Sequence, residues 1–227
     1  MKLSVRIAGA LFIVLSVVDV LFLAMGNETV PVYIKPFLIP SLAAAALLSL
    51  LPGHGGFRTR MMTIGLCLHT FGDIMLLLDD RSFVFFALGL GAFLIGHFFY
   101  LSVLLNGIGA LKGWKEFTCL MLPPVLAPLL VSFFDVKWPM SGVLVVYALT
   151  LMYLVSTGVI WAVRGRRFAW RVIAGGLLFL ISDSLIAVKV FAEFDFMFRH
   201  ALVLATYLPA EWLLISAMVR TQLHTQS

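Results

Sequence analysis

Charge is what this sequence has least of. Asp, Glu, Lys and Arg make up 12% of its 227 residues, against roughly 25% in a soluble domain. Hydrophobic residues make up 62%, and the mean hydropathy is +1.08. A water-soluble fold of this length cannot hide so much apolar surface, whereas a bilayer solvates it. Cysteine is almost as scarce. Cys67 and Cys119 are the two present, which excludes a disulfide framework and a zinc-finger spacing. Both lie in apolar runs, where reduced, buried thiols are expected. Long polar linkers are missing too, so residues 1–227 are read as a single transmembrane domain. The net charge of +5 does not indicate a nucleic-acid partner, because the basic residues are parcelled into short loops, the pattern of membrane topology.

What is present is a series of apolar stretches, each near the roughly 20 residues that a helix needs to cross the hydrocarbon core. They run about 5–25, 31–51, 62–79, 82–105, 117–134, 138–163, 169–192 and 198–220. The expected fold is therefore an all-α polytopic bundle of eight spans. Turn-forming and polar segments punctuate it: Gly26-Asn27-Glu28, Pro52-Gly53-His54-Gly55-Gly56, Asp79-Asp80-Arg81 and Arg164-Gly165-Arg166-Arg167. The first run follows Lys2 and Arg6 but shows no A-x-A site and is interrupted by Asp19, so it reads as a span rather than a signal peptide. Lys2, Arg6, Arg58, Arg60, Lys112, Lys115, Arg164, Arg166, Arg167, Arg171 and Arg220 fall at the termini and in the even-numbered loops. These are 11 of the 16 Lys and Arg residues. The positive-inside rule then places both termini in the cytoplasm, and a multi-pass protein of the cell membrane is expected.

Ionisable side chains inside the spans are the functional signal, since each costs several kcal/mol in hydrocarbon. Asp19, Asp73, Asp183 and Glu211 are the acids, and Lys35 and Lys189 lie near outer span ends. At ~1.5 Å per residue, Asp19 and Asp73 stand about 9 Å below the outer end of their spans and Lys35 about 6 Å. By the same rise, Asp183 and Tyr207 stand about 14 Å down, and His97 and Glu211 about 20 Å. Asp73 and Asp183 are too deep to reach water on so short a side chain. Asp19 is near enough to a helix end to do so, and Lys189 reads as snorkelling to the interface. Lys35, beside Pro36, is level with two acids and so expected to have a partner. Tyr207 and Glu211 share a face at i, i+4, and His97 and Tyr100 at i, i+3. Pro209, between Tyr207 and Glu211, is expected to kink the last span. His69 and Asp73 have a metal-ligand spacing, but no third ligand follows, and neither a metal nor a cofactor is expected. A faint internal echo joins Gly72-Asp73 in span three to Ser182-Asp183 in span seven. The following spans carry His97 and Glu211.

At these residues the sequence resembles the YhhN family of polytopic membrane proteins, whose characterised animal members are lysoplasmalogenases. The resemblance is carried by Lys35-Pro36, Phe71-Gly72-Asp73, the run Gly89 to Tyr100 with Gly96-His97, the run Gly175 to Ser184 with Ser182-Asp183-Ser184, and Thr206-Tyr207. Where the family usually shows a Tyr-Tyr-x-Ala-Gln-like run, this chain reads Tyr207-Leu208-Pro209-Ala210-Glu211. The resemblance implies a hydrolase that cleaves the sn-1 vinyl ether bond of lysoplasmalogens. The products would be a fatty aldehyde and glycerophosphoethanolamine or glycerophosphocholine. Asp73 and Asp183 would be the catalytic carboxyls. Lys35, His97, Tyr100, Ser182, Ser184, Tyr207 and Glu211 would bind or orient the lysophospholipid. Two other readings suit the same buried charges: a proton-coupled transporter of a small molecule or lipid, and a non-catalytic lipid-binding protein whose polar groups hold helices together.

Overall fold

A computed structural model of the chain describes residues 3–27, 29–50, 56–106, 108–192 and 194–224. Lys2, Glu28, Pro52-Gly53-His54-Gly55 and Glu193, which entered the reading of charge and turns, lie outside the described residues. Among the described residues the chain is helical, with no strand. The helices are α1 (Leu3–Ala24), α2 (Thr29–Leu50), α3 (Phe57–Leu76), α4 (Phe83–Leu105), α5 (Trp114–Met121), α6 (Pro123–Val131), α7 (Met140–Val163), α8 (Ala169–Ala192) and α9 (Arg199–His224). A 3-10 turn, Asp79–Arg81, separates α3 from α4.

Among the described residues, seven segments are long and apolar enough to cross a membrane. The chain is therefore a multi-pass membrane protein. Helix α3 has a span's length but stands outside these seven, since it carries Arg58, Arg60, His69 and Asp73. The fifth segment, Trp114–Val131, is broken rather than continuous: α5 stops at Met121, and Pro123 and Pro124 open α6. A proline supplies no N–H to a preceding turn and favours the first helical position. Helix α9 runs unbroken through Pro209.

Apolar side chains on the outside follow helical spacing. On α1, Leu3, Ile7, Leu11, Val14, Val17 and Leu21 form an exposed stripe, while Val5, Ala8, Phe12 and Leu23 are buried. Such a two-sided apolar helix turns one face to its neighbours and the other to lipid. The thiols follow the same logic. Cys67 is exposed on α3 and Cys119 half-exposed on α5, so the expectation of buried thiols is corrected: both sit on outward helix faces.

The chain divides into two compact units, one of Met1–Val103 with Met218–Ser227 and one of Leu104–Ala217. In the first, α1 packs on α2 and α2 on α3; in the second, α7 packs on α5, α6 and α8. The second unit also holds a buried ion pair. Arg164, just past α7, donates to Glu116 of α5 from Nε at 2.8 Å and from Nη2 at 2.7 Å. It also donates to the carbonyls of Ile108 and Ala110, and the Lys112 amide donates to Glu116 at 2.7 Å. One guanidinium thus ties the segment before α5 to the end of α7, using the fork geometry that suits arginine.

Candidate functional site

In the first unit, Asp19 is fully buried, and neither of its carboxylate oxygens has a hydrogen-bond partner among the described residues. The expectation that it reaches water is corrected: α2 covers it, and Lys35 of α2 acts on it electrostatically. Lys35, half-buried, thereby has the partner that its depth predicts. Asp73 is half-buried on α3. His69, one turn before it, is fully buried against α4 rather than sharing a face open to an ion. Its ring centroid lies 5.2 Å from Phe93, 4.6 Å from His97 and 4.7 Å from Tyr100, and it is hydrogen-bonded to the Phe93 backbone. His97 and Tyr100 are themselves buried. Gly96 makes this cluster possible, because a side chain there would collide with the His69 ring.

In the second unit, Asp183 is half-buried on α8 and accepts a 2.7 Å hydrogen bond from the Tyr147 hydroxyl of α7. Glu211 of α9 is fully buried and acts electrostatically on Asp183. Tyr207, buried one turn before Glu211, meets the Phe179 ring edge to face at 5.6 Å. Ser182, buried, donates to the Val203 carbonyl at 3.2 Å, and so joins helices. Ser184 is half-buried on α8. Tyr147 is the functional candidate that the sequence reading missed. It carries no charge and sits in an apolar run, where tyrosine ordinarily reads as an interfacial residue. A signal was present, since at ~1.5 Å per residue it lies about 11 Å inside its helix, near the level of Asp183.

The faint echo between the two Asp helices is a shared packing register. Gly65, His69 and Gly72 stand eight, four and one residues before Asp73; Gly175, Phe179 and Ser182 stand likewise before Asp183. The next helix matches in the same way, with Gly89, Phe93, Gly96 and Tyr100 around His97, and Val203, Tyr207, Ala210 and Leu214 around Glu211. The contacts correspond pair by pair. A Cβ on Gly65 would lie 2.5 Å from Tyr100 and 3.2 Å from the Gly96 carbonyl; one on Gly175 would lie 2.8 Å from Leu214 and 3.2 Å from the Ala210 carbonyl. His69 meets Phe93 as Phe179 meets Tyr207. Gly89 meets the Gly72 carbonyl, and Ser182 meets the Val203 carbonyl. Close backbone approach at a small residue is what membrane helix pairs exploit. Equal backbone frames therefore hold unlike chemistry: the first helix pair carries two imidazoles, His69 and His97, where the second carries Phe179 and the carboxyl of Glu211.

Comparison with curated proteins and with solved structures gives no match. The model of the YhhN family matches residues 30–218, a stretch that contains every polar residue of both clusters except Asp19. The chain belongs to the YhhN family.

Proposed function

We propose that this protein is a lysoplasmalogenase-like hydrolase of the cell membrane, with both termini cytoplasmic, acting on the sn-1 vinyl ether bond of a lysoplasmalogen. One observation carries most weight. Asp183, inside a helical membrane protein, is half-buried, held by one phenol and coupled to a second, fully buried carboxyl. Carboxyls in unlike surroundings divide into acid and base, and family membership favours the same chemistry.

The reaction needs one proton donor and one carboxylate. The donor's proton goes to the outer alkene carbon, leaving an oxocarbenium-like cation at the carbon bonded to the ether oxygen. A carboxylate stabilises this cation and takes a proton from water, whose oxygen bonds to that carbon. The hemiacetal hydroxyl then gives its proton to the deprotonated donor as the bond from that carbon to the glycerol oxygen breaks. The glycerol oxygen takes the proton that the carboxylate had removed from water, the aldehyde leaves, and both carboxyls are back in their starting forms. In the second unit Asp183 is the proposed catalytic carboxyl, and Ser182, Ser184, Tyr207 and Glu211 are proposed to bind or orient the lipid. In the first unit Asp73 is the corresponding candidate carboxyl, with Lys35, His97 and Tyr100 proposed in the same orienting role. The alkenyl tail would lie against apolar helix faces.

The test is fatty-aldehyde release from lysoplasmenylethanolamine by the purified protein, with the sn-1 ester analogue as control. Aldehyde from the vinyl ether and no cleavage of the ester is the expected result. No cleavage, with substrate instead crossing sealed vesicles, would replace the hydrolase reading by transport.

A further inference from the structure

Helices α7 and α8 meet in a fixed antiparallel register. A Cβ on Gly158 would lie 2.7 Å from the Ile173 amide nitrogen, and one on Gly176 would lie 3.0 Å from the Val155 nitrogen. At both places backbone touches backbone, so neither helix can slide without a clash. Moving along the pair, eight residues back on α7 from Val155 and seven forward on α8 from Gly176 bring Tyr147 opposite Asp183. The hydroxyl reaches Oδ2 at 2.7 Å. Tyr147 is buried, and a ring packed on all sides has few rotamers left.

We infer that Tyr147 is a positioning residue: it holds the Asp183 carboxyl in one rotamer through Oδ2 and leaves Oδ1 to face the reacting atoms. The inference rests on the reading of Asp183 as catalytic. The phenol itself touches no reacting atom; it acts through the carboxylate it binds. A carboxyl on a half-buried helix face, with its second torsion otherwise broad, is oriented this way by a phenol, with no cationic partner among the described residues. The arrangement fits a site that must receive a positively charged intermediate, where a cation bound to the same carboxylate would compete. Both oxygens need not be engaged: one anchors and one works.

The experiment uses the full-length protein and the conservative variant Tyr147→Phe, which keeps the ring and removes the hydroxyl. Expected is a fall in kcat of about 100-fold, the scale of a misplaced catalytic group, with KM within about twofold and the thermal midpoint preserved. In an Asp183→Asn background the same substitution should cost nothing further, because the two side chains act as one unit. An activity-independent readout accompanies this. The infrared carboxylate band of Asp183, assigned by its loss in Asp183→Asn, should shift in Tyr147→Phe. An unshifted band overturns the inference, whatever the activity. A shifted band with unchanged kcat also overturns it, leaving Tyr147 a helix-joining residue. If the wild type releases no aldehyde, the proposed function fails, and the band still decides whether Tyr147 orients Asp183.

Discussion

The Tyr147 hydroxyl and Oδ2 of Asp183, 2.7 Å apart, join α7 to α8 through a polar side-chain contact. Their partners make the second unit chemically distinct from the first: Glu211 and Tyr207 stand where the first unit has His97 and Phe93.

Asp183→Asn keeps the shape of the carboxyl and removes its acid–base function. Aldehyde turnover should fall at least about 10²-fold, the lower end of general acid–base contributions. The detergent-solubilised protein should melt near the wild-type temperature. Turnover within a few fold of wild type would remove Asp183 from the mechanism.

Asp73→Asn tests the other carboxyl separately. The same loss of about 10²-fold or more is expected, with unchanged folding by circular dichroism. A variant that keeps its rate but melts lower would make Asp73 a structural residue of α3.

The shared register of the two Asp helices predicts matched damage. Gly65→Val and Gly175→Val both force a side chain against the next helix. Overpacking of this kind costs about 1–3 kcal/mol. Thermal midpoints should drop by similar amounts, and Gly91→Val, at a glycine with open space around it, should change little. Damage at only one of the two glycines would deny the correspondence.

His97 is buried with His69 and Tyr100, so His97→Ala leaves a cavity. Removal of a ring from a packed core costs about 3–5 kcal/mol, and a clear loss of thermal stability is expected. Turnover measured per folded molecule separates packing from orientation. An unchanged rate would assign His97 to packing alone, and a reduced rate would place it in lipid orientation.

Asp195, in the segment before α9, accepts a 2.8 Å hydrogen bond from Arg199, the first residue of that helix, and this holds the Asp195 carboxyl below the ordinary range. A depressed carboxyl contributes stability above its unfolded value and loses it as pH falls through the folded one. The difference in melting between wild type and Asp195→Asn should therefore be present at neutral pH and fade in acid. It should also be small, because the Asp195 side chain is 58% exposed and solvent screens the pair. A difference that grows on acidification would contradict this.

The helices were legible because hydropathy in a membrane chain reports length and position at once. Span seven is read as 169–192 and the structure places α8 at Ala169–Ala192. Helix α3 is weaker on this scale because it carries Arg58, Arg60, His69 and Asp73; its apolar stretch is read as 62–79, whereas the helix runs Phe57–Leu76. The break before Pro123 escaped because an apolar window does not weigh the missing N–H groups. Depth counting found Lys35 as a residue with a partner but put Asp19 in water, since counting along one helix cannot see the neighbour that covers it. It set Asp183 about 14 Å and Glu211 about 20 Å down, and the structure couples these two electrostatically. It passed over Tyr147, because an uncharged donor costs little in an apolar run and so leaves no anomaly to notice. His69 was read along its own helix toward Asp73, whereas ring contacts turned it to α4.

The measurement that bears most directly on the account is aldehyde release from lysoplasmenylethanolamine, run side by side on wild type and Asp183→Asn at matched folded concentration. The account predicts aldehyde from the wild type and a loss of at least about 10²-fold in the variant. Equal release from both proteins, or none from well-folded wild type, would contradict it.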